Sequence, residues 1–337
     1  MGSNPPNLIL MIADTQSQFE CDVTTDDGKE ARLIGIMICE SYDIINQGKR
    51  ASVISIGGLA IATEWRRMGL ATSLMKRGAR RVSSGEYMYL FNLKKDRKLF
   101  PCAEISVWWY PLKSCTSLNM TIFKLDPSPS PETVSELSCR VADPEYSNLP
   151  CRPMTYEDVA IVCEMLKNNA LKFPLARCWT SEHVVRWFLP EDDVQFSYIV
   201  TDQSGQELLD FFAFHIISYC VPRRGYETTD NRNEFLALPS SEEETKKEEE
   251  TTTLRIAVPS YLTSRHTNKE VMMKYVMRAA LHANCDFIHG YGAMGCDNVF
   301  QNLSFVKNEN EIHFLQMLNW ETRSFKGDEI GLSWIQF

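Results

Sequence analysis

A run of prolines, Asp126-Pro-Ser-Pro-Ser-Pro131, continues as polar sequence to Pro150 and divides a chain of 337 residues into two pieces of ordinary domain size. Proline fixes φ and removes a backbone donor, so this stretch forms neither a helix nor an inner strand. It predicts a linker at 126–149, an N-terminal half at 1–125 and a C-terminal half at 150–337. A second break, Ser240 to Thr253, has no apolar residue and carries six acids against two lysines. With nothing to bury, 240–253 reads as a solvated acidic loop.

The rest is globular in character, at 44% hydrophobic and 23% charged residues. A formal charge of -9 argues against nucleic acid as a partner, because phosphate binding needs a basic surface. Leu8 to Ala13 is too short for a membrane span or the core of a signal peptide and reads as a strand. No integral membrane segment is expected. Eleven scattered cysteines form no C-x-x-C pair, which fits free thiols in the cytoplasm. Gly2 is followed by Pro6 where a lipidation signal wants Ser or Thr, so no lipid is expected there.

Within the first half, Arg32–Cys39 and Ala51–Ala62 read as antiparallel strands separated by the polar stretch Glu40–Arg50. An amphipathic helix follows over Glu64–Val82, with Leu70, Ala71, Leu74, Met75 and Ala79 on one face. Ala103–Trp109 and Met120–Leu125 complete the strands of this half. The second half opens with Thr155 as an N-cap and Asp158 three residues on, then a helix at about Ser181–Phe188. A hairpin follows, its strands Phe196–Thr201 and Leu208–Ile217 joined through Asp202-Gln-Ser-Gly205. Strand Leu254–Tyr261, helix Lys269–Ala283, strand Asp286–Tyr291, a short helix from Asp297 and strands near Ile312–Trp320 and Ile330–Ile335 complete the chain.

The strongest local pattern is Arg66-Arg-Met-Gly-Leu-Ala71, between the strand ending near Ala62 and the amphipathic helix. It matches the R-x-x-G-x-A turn of GNAT-type acyltransferases. There the free N–H groups of a helix start face a pyrophosphate, and Gly69 and Ala71 are small enough to admit it. Gly57-Gly-Leu-Ala-Ile61 would present backbone N–H groups to a thioester carbonyl. A competing pattern, Gly290-Tyr-Gly-Ala-Met-Gly295, fits a dinucleotide fingerprint, but too little chain follows it for a full dinucleotide-binding half. The six histidines show no metal spacing, no G-x-S-x-G marks a serine nucleophile, and His215 reads as a structural residue in an apolar strand.

Cys151-Arg-Pro-Met-Thr, Trp187-Phe-Leu-Pro190, Gly205 and Asp210-Phe-Phe-Ala-Phe214 recur in the order and spacing of glycylpeptide N-tetradecanoyltransferase, the N-myristoyltransferase family. The resemblance continues through Asp286–Met294, Phe300–Trp320 and Gly331-Leu332. It implies a mixed α/β fold of two GNAT-like acyl-CoA N-acyltransferase halves around a shared central sheet. It implies transfer of myristoyl from myristoyl-CoA to the N-terminal glycine amine of acceptor proteins by a monomer. Myristoyl-CoA is then a co-substrate, and no permanently bound cofactor or metal is expected.

Carried over by position, the resemblance puts the oxyanion pair on Gly58 and Leu59, with Ala60 and Ile61 continuing the acyl-CoA contacts. The pyrophosphate turn falls on Arg67, Gly69, Leu70 and Ala71, with Arg66 adding charge. The base is the terminal carboxylate, here that of Phe337. Trp108 and Tyr261 fall on the peptide side.

The chain also departs from the family pattern. Gly57 replaces an asparagine, Val107 and Trp109 replace a tyrosine and a histidine around Trp108, and Gly292 replaces an aspartate near the glycine site. The chain runs two residues past Ile335, where the family stops, and lacks most of the family's segment before the first strands. These departures keep two other readings open: a GNAT-type transferase of a shorter acyl group, and a non-catalytic acyl-CoA or peptide binder.

Overall fold

The computed structural model describes residues 7–14, 31–74, 87–92, 100–112, 150–205, 207–222, 251–265, 267–318 and 323–332. The expected linker 126–149, residues 240–250 of the expected acidic loop, the strand Met120–Leu125 and the terminus at Phe337 lie outside these residues; Thr251–Thr253, expected as the end of that loop, are instead strand, paired with Cys220–Pro222.

The strands are β1 (Asn7–Asp14), β2 (Ala31–Asn46), β3 (Lys49–Ile61), β4 (Tyr87–Asn92), β5 (Phe100–Pro111), β6 (Cys151–Pro153), β7 (Leu175–Arg177), β8 (Gln195–Thr201), β9 (Leu208–Pro222), β10 (Thr251–Ser264), β11 (Phe287–Tyr291), β12 (Val306–Leu318) and β13 (Ile330–Gly331). They join one sheet in the order β13-β7-β2-β3-β4-β12-β5-β11-β10-β9-β8-β6, with β1 parallel to β2. Strands of the two halves interleave: β5 of the first half lies between β12 and β11 of the second. The architecture is mixed α/β around a shared central sheet, as the resemblance implies.

Four helices of the second half are α2 (Val159–Ala170), α3 (Ser181–Phe188), α4 (Lys269–His282) and α5 (Asp297–Asn302). The first half contributes α1, described over 70–74. The largest core cluster lies beneath α2 to α5 and joins Phe188, Phe211, Phe214, Met272, Val276 and Phe300 to Tyr110 of β5. Among the described residues no helix is long and apolar enough to cross a membrane.

Two boundaries correct the sequence reading. Glu40–Arg50 is not a connection: β2 runs through it to Asn46, with Tyr42 and Ile44 buried in the period-2 pattern of a strand. The reversal is only Gln47-Gly48, with φ of 50° and 80°, the left-handed pair that a tight hairpin requires. Asp43 accepts from Ser52 (2.6 Å) and Arg50 Nε (2.7 Å), two polar residues of the opposing strand. Nor does the helix after β3 start at Glu64. Thr63–Trp65 is a single 3₁₀ turn, and helical backbone begins at residue 70 because Arg67 (φ 65°) and Gly69 (φ 78°) are left-handed.

Other local readings match. Thr155 N–H donates to Asp158 Oδ2 at 2.8 Å, closing the box that launches a 3₁₀ turn and α2. Arg152 grips the same carboxylate with two bonds of 2.7 Å. Gly205 takes φ 74° in the β8–β9 hairpin.

Candidate acyl-CoA and peptide site

The site begins where β3 leaves β4. Their parallel ladder pairs Val53–Ile56 with Tyr87–Leu90 and then stops, although β3 continues to Ile61. On its other side β3 stays paired with β2, where Ile38 faces Gly58 and the next pair is Cys39 with Ile56. Gly57 is therefore the extra residue of a β-bulge, and a bulge bends its strand.

Beyond the bulge, backbone direction follows from the antiparallel pattern. Ala62 N–H bonds Ile34 O at 2.9 Å, so alternation turns the N–H and C=O of Leu59 and Ile61 away from β2. These groups face the gap that opens between β3 and β4. Ile61 O is taken by Arg66 Nε at 3.1 Å, which folds the arginine back over the end of the strand. Leu59 and Ala60 are exposed, and Ile61 is half-buried.

The turn completes this side of the site. Arg66, Arg67, Met68 and Gly69 are exposed, and Leu70 and Ala71 are half-buried at the start of α1. Ser73 N–H bonds Gly69 O (3.0 Å), so the first-turn N–H groups before it have no intrahelical acceptor. A Cβ added at Gly69 meets nothing within 4 Å; its backbone conformation alone calls for glycine. Free N–H groups beside two guanidinium groups make a place for an anion.

On the expected peptide side, Trp108 is almost fully buried, and its Nε1 donates to Asp297 Oδ1 at 2.7 Å and Ser106 Oγ at 3.0 Å. Ser106 Oγ also donates to the same carboxylate oxygen. A Cβ built on Gly292 would lie 2.3 Å from Asp297 Oδ1 and 2.1 Å from Ser106 Oγ. The Asp297 carboxylate thus fills the space that a side chain at position 292 would enter.

Gly290 is equally constrained, its would-be Cβ 2.4 Å from the Phe300 ring. Gly290 and Gly292 are therefore packing glycines, which accounts for the spurious dinucleotide pattern. Tyr261 is wholly enclosed. Its hydroxyl accepts from Asn169 Nδ2 at 3.4 Å, its ring packs edge-on against Trp179, and burial pushes its pKa up.

His215 contacts Ser260 Oγ at 3.3 Å, and burial pulls its pKa down to about 4, so it stays neutral as a structural residue. Among the described residues no group of three His, Cys, Asp or Glu could hold a metal. Cys151, Cys163, Cys178, Cys220, Cys285 and Cys296 are free thiols.

Sequence reasoning missed Asp297 as a site residue, along with Ser106. It reached their neighbourhood through Trp108 and Gly292, but Asp297 meets Trp108 across 189 positions, and no local spacing signals that contact.

The family model described as Myristoyl-CoA:protein N-myristoyltransferase, C-terminal domain, matches residues 127–330. Glycylpeptide N-tetradecanoyltransferase 1 of Arabidopsis thaliana is 24% identical over 182 residues, 54% of this chain and 36% of the relative. The Dictyostelium discoideum glycylpeptide N-tetradecanoyltransferase is 26% identical over 199 residues, 54% of this chain and 46% of the relative. The matched segments span less than half the length of these curated relatives. A crystal structure of Saccharomyces cerevisiae N-myristoyltransferase with bound myristoyl-CoA shares the fold at a TM-score of 0.65 and 16% identity, covering 87% of this chain and 68% of that one.

Proposed function

Because this chain belongs to the myristoyl-CoA:protein N-myristoyltransferase family, matched through its C-terminal domain, we propose that it transfers a myristoyl group from myristoyl-CoA to the N-terminal glycine amine of acceptor proteins. One observation carries the reading: β3 parts from β4 beyond Ile56, directly before an exposed turn of two arginines at a helix start.

In the proposed mechanism the pyrophosphate of myristoyl-CoA sits on the N–H groups of Leu70 and Ala71, beside Arg66, Arg67 and Gly69. The thioester lies along Ala60 and Ile61. Its carbonyl oxygen takes a hydrogen bond from Leu59 N–H, which faces the gap, as the neutral amine attacks; Gly58, the other residue expected in the oxyanion pair, is opposite Ile38 and turns its N–H to β2. The C–N bond forms, the C–S bond breaks, and CoA leaves as thiolate. The amine proton passes to the terminal carboxylate of Phe337; an α-amino group has a pKa near ~8, within reach of such an acceptor during the step.

The N-terminal half, 1–125, serves the acyl-CoA and the C-terminal half, 150–337, the peptide, with Trp108 and Tyr261 supporting the peptide wall. We place the protein in the cytoplasm as a monomer.

CoA release with myristoyl-CoA, comparing a glycine-initiated peptide with the same peptide begun with alanine, tests the reading. Glycine-dependent release with formation of myristoyl-peptide is expected. Release with acetyl-CoA but not myristoyl-CoA would favour a short-chain transferase. Tight myristoyl-CoA binding without release would favour a binder, which the filled space at Gly292 supports as the second reading. Converting the terminal carboxylate of Phe337 to an amide abolishes turnover in the proposed mechanism and changes little in a binder.

A further inference from the structure

An acceptor's α-amino group, with a pKa of about 8, arrives at neutral pH mostly as ammonium and must lose a proton before it can attack. In the proposed mechanism the terminal carboxylate takes the proton released on attack; this earlier one needs its own acceptor. Strand register points to where such a group stands. Ile56 of β3, Leu90 of β4 and Gln316 of β12 lie level across three strands. β4 stops pairing with β3 after Leu90 and with β12 after Asn92. Three residues past that level, Leu59 N–H faces the gap from β3 and His313 stands on β12, two strand spacings or about 10 Å away between backbones.

His313 has an orienting partner. β12 breaks its pairing with β5 between Lys307, opposite Trp108, and Ile312, opposite Ser106, so residues 308–311 are set against Val107 alone. This excursion brings Glu311 beside His313, Oε1 to Nε2 at 3.1 Å, while Asn308 Nδ2 donates to Glu311 Oε2 at 3.0 Å. The His313 bond holds the Glu311 carboxyl below its usual range, so it is ionised at neutral pH and accepts from Nε2–H. A neutral imidazole that donates from Nε2 carries its acceptor lone pair on Nδ1. Both side chains remain accessible, at 17% and 27% exposure. From β11, Tyr291 sets its ring edge-on to His313 at 5.3 Å, with His289 against Tyr291 at 4.6 Å. β9 adds His215 and Tyr219, β5 presents the apolar Ile105 and Val107, and Lys307 and Glu309 of β12 are exposed. Burial holds His289 and His215 neutral, at about 3 and about 4, and pushes both tyrosines upward.

We propose that His313, oriented by Glu311, accepts the proton that the acceptor's α-ammonium loses before attack, an assignment that rests on the acyl-transfer reading above. The ammonium N–H bond breaks, an Nδ1–H bond forms, and the imidazolium keeps the Glu311 carboxylate as its counter-charge. The neutral amine then attacks the thioester, the terminal carboxylate takes the second proton as the C–N bond forms, and His313 returns its proton to water.

The test follows glycine-dependent CoA release by the whole chain from about pH 5 to about pH 9. About one amine in eleven is neutral at pH 7, so His313→Gln is expected to lower kcat/KM for the peptide about tenfold there and to approach the unaltered rate at about pH 9. Glu311→Gln, which keeps the imidazole and removes its orienting charge, is expected to give a smaller loss of the same pH shape. A structural role would lower the rate equally at every pH, and that result would overturn the assignment. A second readout needs no turnover. With a non-transferable thioether analogue of myristoyl-CoA bound, the His313 ring signal, identified by its loss in His313→Gln, is expected to shift with a glycine-initiated peptide and not with the same peptide N-acetylated. A ring that answers neither peptide, or both alike, would overturn the proposal even in a chain that releases CoA. A selective shift without any CoA release would overturn acyl transfer and leave His313 as the acceptor of the amine's proton.

Discussion

At the scale of single residues, the two glycines that matter most act for different reasons. Gly69 is held by its backbone alone, with open space where a Cβ would point. Gly69→Ala is expected to cost about 1 kcal/mol of left-handed strain and leave the fold intact. The reshaped turn weakens myristoyl-CoA binding several-fold in a titration; unchanged affinity would remove this turn from the pyrophosphate site. Gly292 is held by its neighbours. Gly292→Asp, which restores the residue the resemblance implies, drives a carboxylate into Asp297 and Ser106 and is expected to destabilise by roughly 2–3 kcal/mol in urea unfolding. Gly292→Asp with Asp297→Ala recovers most of that loss. The proposal for Gly57 to Ala71 rests on spacing along the chain, which a sequence displays directly. Asp297 was not legible in that way, because its partners Ser106 and Trp108 come from a strand almost two hundred positions earlier.

Between elements, the firmest polar link is Glu40 of β2 with Arg177 of β7, 2.7 Å apart and both almost fully buried. Trp187 of α3 donates to the same carboxylate at 3.1 Å, and the Arg177 guanidinium lies 3.9 Å over the Tyr42 ring. Glu40→Ala strands a buried cation and is expected to cost about 3–5 kcal/mol, read as a lower urea midpoint. The capping box of α2 gives a pH-dependent contribution. Arg152 and the Thr155 N–H hold the Asp158 pKa at about 2, below its ordinary value of 3.8. This stability is present above pH ~4 and is lost as pH falls towards 2, at most about 1 kcal/mol because Arg152 is half-exposed. Asp158→Asn is expected to flatten the acid limb of a stability-against-pH curve over that window. The Thr155 cap and the Gly205 hairpin were readable because caps and turn residues act locally; the start of α1 and the Gln47-Gly48 reversal were not. Glu40–Arg50 misled because polar residues such as Glu40 and Asn46 read as loop, although both are buried and Glu40 is matched by Arg177, 137 positions away.

Across the whole molecule, two buried histidines set the upper end of the acid response. Burial holds His215 at about 4 and His289, stacked on Trp109 at 4.1 Å, at about 3, both below the ordinary 6.5. The unfolded chain takes up these protons as pH falls below ~6.5 while the folded chain refuses them. Stability is therefore expected to decline from pH ~6.5 downward, well above the carboxylate range, and a His289→Phe variant should show a shallower decline in urea midpoints. The mixed α/β class was legible from the resemblance; the strand order was not. Sheet neighbours such as β5 and β12 are joined by register over long separations that no local pattern encodes.

That interleaving governs how the chain reaches its fold. Residues 330–331 pair with 175–176, and 175–177 pair with 44–46 at the far side of the molecule. Neither half can finish its own layer of strands alone, so a ribosome must deliver almost the whole chain before the last strands close. Until then β5 offers bare edges to any passing chain, and folding is slow and exposed to aggregation. Fragments cut within 126–149 are expected to remain incompletely ordered apart and to gain cooperative unfolding only when mixed, a measurement that calorimetry makes directly. A chaperone that shields edge strands would then govern the yield of this protein as strongly as its final stability does.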